Sequence, residues 1–111
     1  MMEVLIKNME RAVPVALKDQ VEYEPGKVVS KTLAQRPYSG VTLFAFDAGE
    51  GINTHAAPGD AMAFILEGTA RITIYDEAYT VSAGEAIVMP VGAPHAVKAE
   101  TRSKMMLTLI C

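Results

Sequence analysis

Apolar and polar positions alternate with a period of two along most of this chain, and glycine or proline interrupts the alternation every few residues. Residues 71–75 are the clearest case. Ile72 and Ile74 fall on one face and Arg71, Thr73 and Tyr75 on the other, as in a half-buried strand. Segments 27–33, 61–67, 78–81, 86–89, 95–99 and 104–110 read as further strands. Turn residues separate them, among them Pro25-Gly26, Gly68, Asp76-Glu77 and Ser82-Ala83-Gly84. Residues 41–46 are apolar on both faces, which predicts a strand covered on both sides. About eight short strands at close, regular spacing predict an all-β fold, a barrel or double sheet of antiparallel strands. Only the first 20 residues have another texture. There Val4, Leu5 and Met9, followed by Pro14, predict one or two helical turns that stop before the proline.

The length of 111 residues allows one domain. Its expected organisation is a leader with the first strand, residues 1–35, packed on the barrel or on a partner subunit, and a barrel over 36–111. Half of the residues are hydrophobic, enough for a core, and Phe44, Phe46, Phe64, Ile72, Ile74, Ile87 and Leu107 are its expected members. So short a chain buries a modest share of its surface, and the two-sided strand at 41–46 predicts a homodimer. A net charge of −3 with scattered lysines and arginines argues against a nucleic-acid or anionic-membrane partner. There is no apolar run of about 20 residues and no signal-peptide pattern. The single cysteine, Cys111, forms no internal disulfide, so the expected compartment is the cytoplasm.

Chemistry concentrates in two stretches. The first runs from Gly49 through His55 to Gly68, the second from Gly84 through Pro90 and Gly92 to His95. Pro90 and Gly92 make a rigid loop that delivers His95 to the start of a strand. In spacing, both stretches resemble the two motifs of the cupin superfamily, and the resemblance extends over roughly residues 40–110. It implies a cupin-type β-barrel, or double-sheet jelly roll, in which His55 and His95 lie side by side in the barrel mouth and share a water, an ion or a ligand atom.

The departures from the motif matter as much. The family's second histidine falls on Ala57, its glutamate on Ala61 and its terminal asparagine on Ala99. Of the usual metal ligands only His55 and His95 remain, and they are the only histidines in the chain. Asp60 adjoins the lost glutamate but has the wrong strand parity, so it reads either as a third metal ligand or as a turn aspartate bonded to backbone. Glu50 is a weaker alternative. Two readings follow. In the first, the barrel binds a small molecule among His55, His95, Ala57, Ala61, Met62 and Met89, since alanines and methionines leave apolar room around two polar rings. In the second, the chain is a metal-dependent cupin enzyme, an oxygenase or isomerase, using His55, His95 and a carboxylate. The metal would be a weakly held divalent ion: zinc, nickel, iron or manganese. No Ser-His-Asp or Cys-His constellation and no phosphate loop stands out, so whether the chain is an enzyme stays open.

Overall fold

The computed structural model describes residues 3–111, so the first two residues of the leader lie outside it. It contains nine strands: β1 (Val28–Arg36), β2 (Ser39–Phe46), β3 (Gly51–His55), β4 (Asp60–Glu67), β5 (Thr69–Ile74), β6 (Glu77–Ser82), β7 (Ala86–Met89), β8 (His95–Ala99) and β9 (Ser103–Ile110). All pairings are antiparallel. A five-stranded sheet, β1-β2-β9-β4-β7, faces a four-stranded one, β3-β8-β5-β6. The expected double-sheet jelly roll is therefore the fold. No helix is long and apolar enough to cross a membrane among the described residues.

Directly paired residues share a face, so the register lists the inner wall of the larger sheet in layers. Gln35, Gly40, Leu109, Ala61 and Met89 form the outermost layer, and Thr32, Thr42, Leu107, Ala63 and Ile87 the next. Phe44, Met105 and Ile65 lie below them, with Phe46 stacked on Phe44 at 5.6 Å. The smaller sheet contributes Ile52, Val97 and Ile72, then Ala99, Ala70 and Val81. Phe46 and Ile72 are fully buried, as expected. Ile74, Ile87 and Leu107 are only partly buried, toward the end where the barrel opens, and Phe44, one layer lower, is partly buried as well. Phe64 is also only partly buried, for another reason: by alternation with Ala63 and Ile65 it faces outward.

The leader departs from the expected helical turns. Residues 3–16 are irregular, and the one short helix is a 3₁₀ turn at Leu17–Gln20. Instead of coiling, the leader lies antiparallel against the free edge of β1. Lys7 N–H donates to Leu33 O at 2.7 Å, the Asn8 side chain donates to Thr32 O at 2.7 Å, and Glu3 pairs with Arg36 at 2.8 Å. Farther along, Leu17, Val21 and Tyr23 pack over Leu43 and Ala45, the outward residues of β2, which are thereby completely buried. The second apolar face of 41–46 is thus covered by the chain's own leader. Tyr23 bolts it down: its hydroxyl donates to Glu67 at 2.5 Å and its ring lies under Lys104 and Arg102. Burial and the Glu67 carboxylate push the Tyr23 phenol well above its ordinary pKa, so it remains a donor at every working pH.

Gly68, the last residue of the first motif, has φ +78°, and a Cβ there would run into the Arg102 carbonyl and Ser103. Gly84 has φ +89° but open space around it. Gly68→Ala is expected to cost about 3 kcal/mol or more, from strain plus collision, against roughly 1 kcal/mol for Gly84→Ala. Urea unfolding of the two variants measures the difference.

Candidate functional site

His55 ends β3, and His95, its direct cross-strand partner, begins β8. Their pairing requires a correction to the strand. Ile52 pairs with Val97, so regular pairing would set residue 54 against His95; instead one extra residue intervenes, and the register shifts between Ile52 and His55. In an unbroken strand Thr54 would face the barrel and His55 would face out. The bulge turns His55 inward, a common use of bulges at sites. His95 is held by the loop from Pro90 to Pro94, in which Ala93 N–H donates to Pro90 O and Gly92 N–H to Ala57 O.

The two imidazoles meet edge to face, with centroids 4.4 Å apart and Nε2 atoms 3.2 Å apart. Each Nδ1 lies 3.0 Å from a backbone carbonyl two residues earlier, Asn53 O for His55 and Ala93 O for His95. A carbonyl only accepts, so both Nδ1 atoms carry the proton. In the neutral rings both Nε2 atoms are therefore bare acceptors aimed at the same point. Two lone pairs at that distance repel unless something electropositive joins them: a proton, a metal ion or a ligand's N–H or O–H. His95 is buried, His55 exposed, so the shared point opens to solvent from the His55 side.

The other anticipated residues divide by strand parity. Ala61 and Met89 are paired, buried and inward, in the outermost layer of the cavity wall. Ala57 sits on the rim, tying two mouth loops together through its carbonyl. Met62 does not line the cavity. It follows Ala61, so its side chain turns to the outer face, where it is 38% exposed beside its partner Val88. Asp60 also turns outward: it is exposed, and its carboxylate accepts from Val91 N–H at 2.9 Å. It is not gathered with the histidines, and no group of three His, Cys, Asp or Glu side chains stands together among the described residues. Glu50 belongs to the β2–β3 connection at the opposite end of the barrel.

As a test of metal fit, two imidazole nitrogens bound cis to one ion at about 2.1 Å stand roughly 3 Å apart, close to the 3.2 Å observed. Each ring is also oriented by an Nδ1–H to a carbonyl, as metal-ligating histidines are. The span fits an ion. The donor count fits only a weak one, completed by water or by a bound molecule.

A cleft of about 300 Å³ opens in the wall formed by β1, β2 and β9. β2 starts, β3 ends and β9 ends at the same end of the barrel, so the cleft faces the sheet that carries the histidines. Its inward residues are Thr32, Gln35, Thr42, Leu107 and Leu109. Except for Leu107, anticipated only as core, sequence reasoning passed over these, although the alternation of Thr42 with Phe44 and Phe46 marks it as inward. Neither this cleft nor a larger depression of about 490 Å³ along β3 and β8 includes a histidine.

The cupin domain family model matches residues 42–111. A conserved Streptococcus pyogenes protein of unknown function is 43% identical, with a TM-score of 0.93 over 96% of this chain and 93% of that one. A cupin superfamily protein from Desulfitobacterium hafniense is 28% identical, with a TM-score of 0.91 over 95% and 96%. A cupin 2 conserved barrel domain protein from Leptotrichia buccalis is 41% identical, with a TM-score of 0.83 over 86% of this chain and 46% of that one. No curated protein matches.

Burial holds the pKa of His95 below the ordinary imidazole value of 6.5, with the His55 ring adding to the effect and the Ala93 carbonyl opposing it. The ring is therefore neutral near pH 7. As pH falls below about 6.5 the unfolded chain takes up a proton that the native chain refuses, so stability is lost until the depressed native value is passed. The melting temperature is expected to decline from about pH 7 to about pH 5.5, and to decline less in His95→Gln, as thermal unfolding across that range measures.

Proposed function

The chain belongs to the cupin family, and we propose that it is a member that binds a small organic molecule in the barrel cavity, with one polar atom of the ligand at His55 and His95. The carrying observation is the pair of bare Nε2 acceptors 3.2 Å apart, which calls for an electropositive partner. The alanines at 57 and 61 support the reading: methyl groups stand where further ligands are usual, and leave an apolar wall of Ala61 and Met89. At about 300 Å³ the cleft is at the small end of ligand sites. His95→Ala is expected to keep the fold and to weaken ligand binding about tenfold, the loss of one good hydrogen bond in a desolvated site. Thermal-shift screening of small organic compounds against both proteins measures it. Equal shifts in the two would count against the reading.

The same observation favours a second reading, a metal-dependent cupin, because convergent imidazoles also suit a divalent ion. His55 and His95 would hold it, and the ion would act as a Lewis acid toward a bound substrate. With two protein ligands, the ion should be weakly held and released as pH falls, since imidazole must be neutral to ligate. Loss of either histidine is then expected to abolish metal uptake, while Asp60→Ala leaves it unchanged. Metal analysis of untagged protein separates the two readings.

A homodimer is also part of the proposal, now on a different surface. With 41–46 covered by the leader, exposed outward apolar residues remain at Met62, Val88 and Ile110, 38%, 52% and 58% exposed, on neighbouring strands of the larger sheet. Met62→Lys with Val88→Lys is expected to convert a dimer to a monomer in light scattering at micromolar concentration.

A further inference from the structure

We propose that the molecule taken into the cleft is uncharged, with a hydroxyl or amide group beside a short apolar body. This rests on the cavity-binding reading and adds the ligand's class to it.

The cleft has two kinds of wall. On the β9 side Leu107 and Leu109 offer apolar surface. On the β1–β2 side Thr32 and Thr42 are direct cross-strand partners on the inner face, with Gln35 one layer nearer the mouth. None of these three side chains makes a hydrogen bond within the protein among the described residues. Nor are they sealed orphans, since the one buried side-chain polar atom without a partner is Ser103 Oγ, elsewhere. Two hydroxyls and an amide, all free and all facing the cleft, can both donate and accept.

The charge balance decides the class. Arg36 is the only ionisable residue lining the cleft, and it is held by Glu3 at 2.8 Å. By strand pairing Arg36 lies opposite Ser39, in the alternation that carries Val41 and Leu43 outward. An entering carboxylate would give up its water without meeting a free cation, and an entering ammonium would meet no carboxylate in the cleft, only neutral imidazole acceptors beyond it. A neutral polar group exchanges its water for hydroxyl and amide partners at little cost. Facing sheets stand about 10 Å apart, so a molecule of this size reaches from the threonines toward the histidine pair.

The test uses three probes with one body: cyclohexanecarboxamide, cyclohexanecarboxylate and cyclohexylmethylammonium. Each is titrated into the full chain near neutral pH while the methyl resonances of Leu107 and Leu109 are followed. The amide is expected to bind at least about tenfold more tightly than either ion, and Thr42→Val to weaken it roughly fivefold with the melting temperature unchanged. Gln35→Leu, at an exposed position, serves as the second variant should Thr42→Val not fold. Either ion binding as tightly as the amide overturns the uncharged class and leaves the cavity reading standing. Amide binding undiminished in a folded variant overturns the role of the polar wall. If none of the three probes moves the leucine methyls, both the class and the cavity reading fall.

Discussion

The site depends on one extra residue in a five-residue strand. Between Ile52 and His55 the ladder to β8 slips by one, and only because of that slip do both histidines face inward. Side chains on a strand alternate strictly, so without the slip a threonine would occupy the position opposite His95. Once His55 is turned in, its geometry follows from local bonds. Each ring is pinned through Nδ1 to a carbonyl two residues back, and the remaining nitrogens converge. Neither ring can relieve the convergence by changing tautomer without losing its carbonyl. The repulsion is thus built into the backbone, and whatever the barrel binds is selected against it.

Alternation also sorts the rest of the molecule into two levels. The inner faces of both sheets form one core, from Phe46 and Ile65 to Ile72 and Val97. The outer face of β2, with Leu33 of β1, joins Val21 and the side chains of the leader in a second, smaller cluster. Tyr23 links the two levels, because Glu67, which receives its hydroxyl, and Lys104, which lies over its ring, are cross-strand partners in β4 and β9. Lys104 is itself buried and donates to the Lys18 carbonyl at 2.5 Å, so its charge is satisfied by the segment it helps to hold.

Much of this was legible in the sequence, and the rest was hidden for identifiable reasons. The strands at 86–89 and 95–99 appear as read, since turn residues bound both. The histidine pair was legible from motif spacing, which tolerates a bulge because it counts residues and not faces. For the same reason spacing could not reveal the bulge, and the apolar pattern set no bounds for β3 behind Gly49 and Gly51. Met62 was assigned to the cavity as an adaptable apolar wall, where alternation with Ala61 sends it outward; the parity argument applied to Asp60 gives the observed direction. The leader misled because Val4, Leu5 and Met9 permit a helix, while tertiary contact with the edge of β1 supplies an alternative set of hydrogen bonds. The threonine wall had no signature of its own, since Thr32 and Thr42 are ordinary strand residues until the register sets them together.

The leader has a bearing on where this protein begins as a physical object. The family match starts at residue 42, inside β2. An expressed fragment cut there would lose β1 and the leader residues that cover Leu43 and Ala45, leaving β2 as a raw sheet edge with a largely bare oily back. Such an edge recruits other chains, so the fragment should aggregate more readily than the full chain. The segment that lies ahead of the family match is, for this barrel, the part that guards its edge from other chains.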